Sequence, residues 1–257
     1  MSKSSRWISS TAFFIAVTVL ALAALPAAAQ TGQEQGWQFE LTPYAWFAGM
    51  SGEIGAGPNE AHASASFSNI ARNLDSAFMA HFEARNGRWG FFVDPFYINL
   101  GESVRTPYGF KLAIKAKELI VGFQGSYRVY EKGGNAFDVL FGGRYNDLKT
   151  DLTPSGVPLP SHHFAKDWVD PIVGFRARFA LGDRWAFGLR GDIGGFSAGS
   201  KLAWDAIARF DILASKAVSF NFGYGLISTD YESGSGASQF LYDVRMDGPF
   251  VGVAFHF

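Results

Sequence analysis

The sequence predicts an all-β fold, a closed antiparallel transmembrane β-barrel of about ten strands. Aromatic residues make up 16% of the chain, with 26 Phe, and stretches of the chain alternate between apolar and polar residues. After residue 29 no apolar run approaches the ~18–20 residues of a membrane-spanning helix. Because every backbone group in lipid needs an internal partner, a closed barrel is the remaining way to cross a membrane.

The alternation has a period of two, which places each set of residues on one face of a strand. One face carries Phe, Trp and Tyr, and the other carries glycine and charged residues. A two-sheet sandwich would also alternate, but aromatic residues near strand ends and glycine mixed with opposed charges favour a barrel with a narrow lumen. The clearest stretches are 37–42, 78–85, 137–146, 169–179, 185–193 and 218–226.

The N-terminus has the order of a secretory signal peptide. A short basic start precedes an apolar stretch over 11–25, and small residues follow it. This order predicts a cleavable signal peptide over 1–29, cut between Ala29 and Gln30. The apolar stretch is shorter than the ~20 residues of a retained helical anchor. Residues 30–257 are then a single barrel domain.

Charge and cysteine content exclude several classes of function. Two of the 22 basic residues lie in the signal peptide, so the exported chain has a formal charge of 20 − 23 = −3. A near-neutral chain has no broad basic surface for nucleic acid. The absence of cysteine excludes disulfides and thiolate metal sites. The sequence predicts no cofactor and no metal.

The last residues are apolar at every second position, and the chain ends on Phe257. This ending resembles the C-terminal signature of Gram-negative outer-membrane β-barrel proteins, and the whole exported chain is similar in architecture to small OmpA-like or opacity-type barrels. The resemblance implies location in the outer membrane and contact with outer-membrane lipid and lipopolysaccharide. It also implies that the barrel assembly machinery recognises Phe257.

Turn signals set the strand count. Compact signals, led by the Asn-Gly pair at 86–87, alternate with longer polar connections, as periplasmic turns alternate with extracellular loops. Eight strands is the alternative if 201–213 is a loop. The predicted compact turns are 85–88, 132–135, 181–184 and 213–216, and the predicted loops are 51–74, about 101–110, 152–166, 195–200 and 232–239. The ten predicted strands are 37–50, 75–86, 89–100, 111–130, 136–151, 167–180, 185–194, 201–213, 217–231 and 240–257.

The first long loop combines a Gly-rich part over 51–63 with a short helical pattern. Ser68 or Asn69 is placed to cap that helix. The helix is predicted either to enter the barrel mouth as a plug or to cover the rim from outside. The apolar residues at helical spacing are Phe67, Ile70, Ala71 and Leu74.

Charged residues on the polar face are the candidates for a lumen ion network. They form either an ion pathway or a polar binding site, or a ladder of paired charges that fills a narrow barrel, because unpaired ions there are costly. The candidates are His81, Glu83, Arg85, Glu118, Arg128, Asp138, Arg144, Asp170, Arg176, Arg178, Arg190, Asp192, Asp205, Arg209 and Asp211.

Histidine residues carry the enzyme alternative. Adjacent histidines point to opposite sides of a strand and do not naturally share a metal. The sequence contains no His-Glu-x-x-His motif, phosphate-binding glycine loop or calcium loop. The residues that could serve a hydrolase are His162 and His163 beside Ser161 and near Asp167, and His81 with Glu83.

These observations predict a non-enzymatic outer-membrane barrel. It acts either as a narrow passive channel or as a structural and surface-interaction barrel, whose loops, such as 152–160, face outside partners. The alternative is an outer-membrane hydrolase or lipid-modifying enzyme with a His-based site. Oligomeric state is left open.

Overall fold

A computed structural model describes residues 36–57, 59–105 and 108–257. The predicted signal peptide and its cleavage position lie outside these residues and stay predictions. Within the described ranges, no helix has both the length and the apolar character needed to cross a membrane.

The described chain is almost entirely strand. Its strands are β1 (Trp37–Trp46), β2 (Gly49–Ala56), β3 (Asn59–Ala65), β4 (Leu74–Asn86), β5 (Trp89–Arg105), β6 (Lys111–Lys132), β7 (Asn135–Ser155), β8 (His162–Ala180), β9 (Trp185–Gly194), β10 (Leu202–Ser215), β11 (Val218–Ser233) and β12 (Phe240–His256). The helix α1 (Phe67–Arg72) lies between β3 and β4, and a 3-10 turn covers Gly236–Ser238.

The sheet closes into a ten-stranded antiparallel barrel, as the sequence predicts. From β4 to β12 each strand pairs with the next, and β12 then pairs with β1, which pairs with β4. β2 continues β1 along the other half of β12, so the two elements form one barrel strand with a break at Phe47 and Ala48. Closure removes most of the free edges that an open sheet would expose; among the described residues β3 keeps one edge unpaired, and the β1–β4 ladder ends at Pro43.

The two ends of the barrel differ. The turn end carries the four short connections after β4, β6, β8 and β10, together with the first and last strand residues. The loop end carries the longer connections. Several strands extend further toward the loop end than the sequence indicates: β5 continues to Arg105, β7 continues to Ser155 and β8 begins at His162. The predicted turn at 213–216 is displaced, because β10 continues to Ser215.

The predicted loop over 51–74 is wrong over its first part. β2 and β3 form a hairpin there, with Met50 opposite Ala65. Among the described residues β3 pairs with β2 alone. The hairpin has no apolar alternation, because both strands consist largely of glycine, alanine and serine, and this hides a strand from a hydrophobic pattern.

The helix prediction is confirmed, but its position and cap are corrected. Ser66, not Ser68 or Asn69, caps α1, and its hydroxyl accepts a hydrogen bond from the Asn69 backbone N–H at 3.3 Å. No residue of α1 is buried, and the helix packs against the β2–β3 hairpin. The plug prediction is therefore wrong, because a plug would be enclosed by the barrel.

An apolar belt surrounds the barrel. On β5 the outward side chains from 89 to 97 are apolar or aromatic, and the next outward residue is Asn99. On the paired strand β6 the belt covers 119–127, and the next outward residue is Lys117. Each stretch spans nine residues, and a tilted barrel strand needs about 9–11 residues to cross a bilayer. The belt therefore has the height of a membrane.

Candidate functional site

The lumen has two different halves. The half toward the turn end holds a layer of buried charged residues, which we call the charged layer. The half toward the loop end holds buried apolar residues, which we call the apolar lumen. The strand register defines the boundary. Asp94, Gly122 and Arg144 lie opposite one another on neighbouring strands and form a charged level. Two residues further toward the loop end, Phe96 lies opposite Ile120 and this level is apolar.

Asp138 is the centre of the first part of the charged layer. Its carboxylate accepts hydrogen bonds from Arg85 at 2.8 Å, from Arg128 at 2.9 Å and from Arg176 at 2.8 Å. Glu83 supplies the second negative charge, since Arg176 donates to it at 2.6 and 2.8 Å. The side chain of Asp138 is 2% exposed. The arginine and carboxylate charges of this cluster therefore offset one another, because solvent screens them little.

A second group of charged side chains is centred on Arg190 of β9 and has partners on β5 and β10. Arg190 donates to Asp94 at 3.1 Å and to Asp205 at 3.0 Å. His81 lies between the two groups, with Nδ1 at 3.4 Å from Asp94 and Nε2 at 3.7 Å from Glu83. His81 therefore connects the first two groups into one network.

A third group lies toward the apolar lumen. Arg144 donates to Asp192 at 2.8 Å, and Gln124 donates to the same carboxylate at 3.3 Å. Arg144 also lies 3.8 Å from Asp205, which links this group to Arg190.

Two of these ion pairs cross the lumen. Arg176 on β8 reaches Glu83 on β4, and Arg190 on β9 reaches Asp94 on β5. In each pair three strands separate the partners on the shorter way round the ring. Phe92 fills the space between them, fully buried, with both guanidinium groups 5.7 Å from its ring centre. Side chains therefore close the lumen at this level.

Five sequence candidates lie outside this network. Glu118 is in the apolar lumen and accepts a hydrogen bond from the Tyr242 hydroxyl at 2.7 Å. Asp170 is fully buried and bound by neutral donors. Arg178 is exposed and donates to a backbone carbonyl at the turn end. Arg209 pairs with Asp211 at 3.3 Å.

The apolar lumen was not predicted from the sequence. Its buried members come from β5, β6, β8 and β12 and from the break between β1 and β2, and Trp168 stacks on Tyr231 with ring centres 4.0 Å apart. The buried side chains are Ala48, Phe96, Ile98, Ile120, Trp168, Tyr242, Val244 and Met246. Partly buried residues packed against them include Trp46, Met50, Ile54, Leu74, Met79, Leu100, Leu148, Ile227, Tyr231 and Phe240.

The histidines named for the enzyme alternative do not form one site. His162 and His163 lie at the start of β8, where the ring of His162 stacks on Phe164. His163 binds Asp151 at 2.6 Å, and both side chains are exposed. In the described ranges no serine hydrogen-bonds to these two residues or to His81, and no cluster of three or more metal-binding side chains occurs.

A different histidine contact was missed at the turn end. The Ser219 hydroxyl lies 2.8 Å from His256 Nε2, and His256 Nδ1 lies 3.6 Å from Glu40. The side-chain nitrogen of Asn221, on the same face of β11 as Ser219, is buried without a hydrogen-bond partner among the described residues. The contact depends on the closing of β1 and β11 on β12, so sequence spacing does not reveal it.

Comparison with known proteins supports the fold. No protein-family profile and no curated protein matches the chain. The outer membrane protease OmpT from Escherichia coli has a similar structure, with a TM-score of 0.55 and 5% identity over 89% of this chain and 99% of that one. The translocator domain of the autotransporter NalP from Neisseria meningitidis has a TM-score of 0.45 and 13% identity over 88% of this chain and 90% of that one.

The attachment invasion locus protein Ail of Yersinia pestis, in complex with sucrose octasulfate, has a TM-score of 0.36 and 10% identity over 87% of this chain and 100% of that one. At these identities the likeness to OmpT concerns the fold alone. The chain has the architecture of Gram-negative outer-membrane β-barrels.

Proposed function

We propose that this chain is a non-enzymatic outer-membrane barrel with a closed lumen, and that it acts through the surface at its loop end. The observation that carries the proposal is the pair of ion pairs that cross the lumen, from Arg176 to Glu83 and from Arg190 to Asp94. Of the two roles that the sequence predicts, this geometry favours the structural and surface-interaction barrel over the narrow channel.

The physical reason is the cost of opening the charged layer. A hydrated ion would have to separate buried partners, and leaving one buried charge without its partner costs about 3–5 kcal/mol. The apolar lumen follows on the same axis. Its Glu118 carboxylate is held by the Tyr242 hydroxyl at 2.7 Å, and the aliphatic and aromatic side chains around it offer an ion no polar ligand in place of water. Two barriers of different chemistry therefore lie in series.

The loop end offers the surface for partners. Large apolar side chains stand at the tips of three loops: Tyr108 is 90% exposed, Leu159 53% and Phe196 55%. Exposed apolar groups on loops held by a rigid scaffold are typical of recognition surfaces. Outer-membrane lipid and lipopolysaccharide around the belt, and recognition of Phe257 by the assembly machinery, belong to the same proposal.

The test is ion conductance. We expect the folded protein in a planar bilayer to show no conductance steps at any voltage the bilayer tolerates. The double variant R176A/R190A should also stay silent, because the apolar lumen still closes the axis. Unheated gel mobility verifies that both proteins are folded. Reproducible steps from the unchanged protein would instead support the narrow channel.

The hydrolase alternative is favoured by one observation, the contact of Ser219, His256 and Glu40. A serine next to one imidazole nitrogen and a carboxylate near the other is the arrangement that activates a serine nucleophile. The amide of Asn221 could donate to an oxyanion. We rank this function second, because Ser219 is only 6% exposed and an ester carbonyl must reach its hydroxyl.

A fluorophosphonate probe tests the second function directly, since it modifies activated serines. The favoured closed-barrel proposal predicts no labelling of the folded protein. Labelling at Ser219 that is lost in H256A would support the hydrolase and overturn the non-enzymatic assignment. The variant H163A is the matched control, because that histidine contacts Asp151 far from Ser219.

A further inference from the structure

The barrel wall is interrupted at one place. β1 pairs with β4 from Trp37 to Pro43, where Pro43 lies opposite Ala80. Beyond that point residues 44–46 of β1 pair with β12, and residues 74–79 of β4 pair with β5. Between these two segments the ladder of hydrogen bonds is absent, although both belong to the described residues.

Prolines flank β4 where the interruption begins. Pro43 on β1 and Pro95 on β5 have no backbone N–H to donate, and proline is found at edges and bulges of sheets for this reason. Between the Met79–Phe96 and Phe82–Val93 pairs, the described residues of β4 and β5 form no ladder pair. The wall is therefore weakly hydrogen-bonded on both sides of β4 at this level.

The interruption lies at the loop-side edge of the membrane belt. Phe78 of β4 is opposite Tyr97, the last outward apolar residue of β5. Its side chain points outward and is 59% exposed. Above the gap, Phe67 of α1 packs on Phe47 with ring centres 5.1 Å apart. The outer border of the gap is thus aromatic, as lipid contact requires.

The inner border of the gap belongs to the apolar lumen. Met79 on one side and Trp46 on the other both point inward and are only partly buried. The Trp46 ring lies 5.6 Å from that of Phe96, and its indole N–H donates to the Gly248 carbonyl at 3.0 Å. A side chain at position 248 would meet the Phe47 carbonyl at 2.4 Å, so glycine permits this close approach.

The chemistry of the apolar lumen suits a hydrocarbon. Lumens of outer-membrane barrels are normally polar, whereas this half is lined mainly by aliphatic and aromatic side chains, with Glu118 held by the Tyr242 hydroxyl among them. The three methionines of the described residues, Met50, Met79 and Met246, all line it. Methionine side chains adapt to irregular apolar partners, which is why binding surfaces use them.

We propose that the gap between β1 and β4 is a lateral portal, through which the hydrocarbon chain of a single-chain lipid enters the apolar lumen from the membrane. The charged layer forms the floor, so the chain enters from the side and stops there. Beside the gap the lining residues Trp46, Met50 and Met79 are only partly buried, whereas the rest of the apolar lumen is closely packed, so the occupant is one extended chain rather than a bulky lipid. This inference goes beyond the proposed function, because a lumen closed to ions can still receive an apolar chain.

The experiment uses the full protein, purified from bacterial membranes and reconstituted in vesicles, with a fatty acid that carries a photoactivatable diazirine in mid-chain. After illumination, mass spectrometry maps the labelled residues. We expect labels on the inward residues Met79, Phe96 and Met246, as well as on outward belt residues. Excess oleate should reduce inward labelling about fivefold or more, because a pocket saturates, and should change outward labelling little.

Neighbouring residues on β4 provide matched variants. M79W fills the inner border and should lower inward labelling about fivefold or more, whereas F78W, on the outer face, should change it less than about twofold. Labels confined to outward residues in the unchanged protein would overturn the proposal, whatever the variants do. Equal labelling in M79W and F78W would also overturn it. Conductance does not enter the result, so failure here and failure of the closed-lumen function are distinguishable.

Discussion

Replacing Asp138 with alanine is expected to lower the free energy of unfolding by about 3–5 kcal/mol, since removing one partner of a buried ion pair leaves the other charge uncompensated. Three guanidinium groups converge on this carboxylate. Without it, Glu83 is the carboxylate that still contacts both Arg85 and Arg176 among the described residues. Unfolding by urea in lipid vesicles, followed by tryptophan fluorescence, measures the change.

The control for this prediction is D151A. Asp151 also pairs with a basic side chain, His163, but both partners are exposed, and exposed ion pairs contribute little to stability. The isosteric variant D138N separates charge from shape, because an amide keeps the volume but accepts fewer hydrogen bonds. If D138A unfolds at the same urea concentration as D151A, the charged layer does not stabilise the barrel.

The alternation of residues carried most of the fold prediction. On strands such as β8, β9 and β11 the outward face is strongly apolar through the belt and the inward face is polar, so a period of two is visible. The Asn-Gly turn at 86–87 and the glycines at 133–134 then mark the ends of β4 and β6. These are local signals, which can be recognised from neighbouring residues without knowing how the barrel closes.

The apolar lumen was missed for two reasons: β5 and β6 are apolar on both faces there, and β12 alternates over 240–247 but turns its apolar face inward. In 96–98 and 119–121 the alternation disappears, and such a continuous run is typical of a strand buried on two sides. The reading that assigned every apolar face to lipid had no place for this signal. The runs themselves could have indicated an apolar interior above the charges.

The contacts across the lumen were beyond the reach of the sequence. Arg190 and Asp94 are 96 positions apart, and their contact depends on how ten strands tilt and stagger when the ring closes. The sequence predicted the pool of charges. Only the closed barrel determines which of them pair, which remain apart and which reach across.

The second large effect is expected at Asp170, which lies outside the network of ion pairs. Its carboxylate accepts hydrogen bonds from the Ser200 backbone N–H at 2.6 Å and hydroxyl at 2.9 Å, from Asn146 at 3.2 Å and from Trp168 at 3.1 Å. It thereby ties the connection between β9 and β10 to the lumen wall. Phe196 in that connection has a φ of 49° and Ser197 of 61°, a left-handed conformation that non-glycine residues adopt at a cost.

D170A is therefore expected to lower the free energy of unfolding by about 3–5 kcal/mol, because it leaves several buried donors without an acceptor. It should also speed proteolysis within 195–200, since the strained turn loses its anchor. S200A removes only the hydroxyl donor of Ser200 and should lower the free energy of unfolding by about 1–2 kcal/mol. D167A, an exposed position on the same strand, is the control. If D170A and D167A unfold alike and are cleaved alike, the carboxylate does not hold the loop, and the β9–β10 connection is stabilised by its own backbone contacts instead.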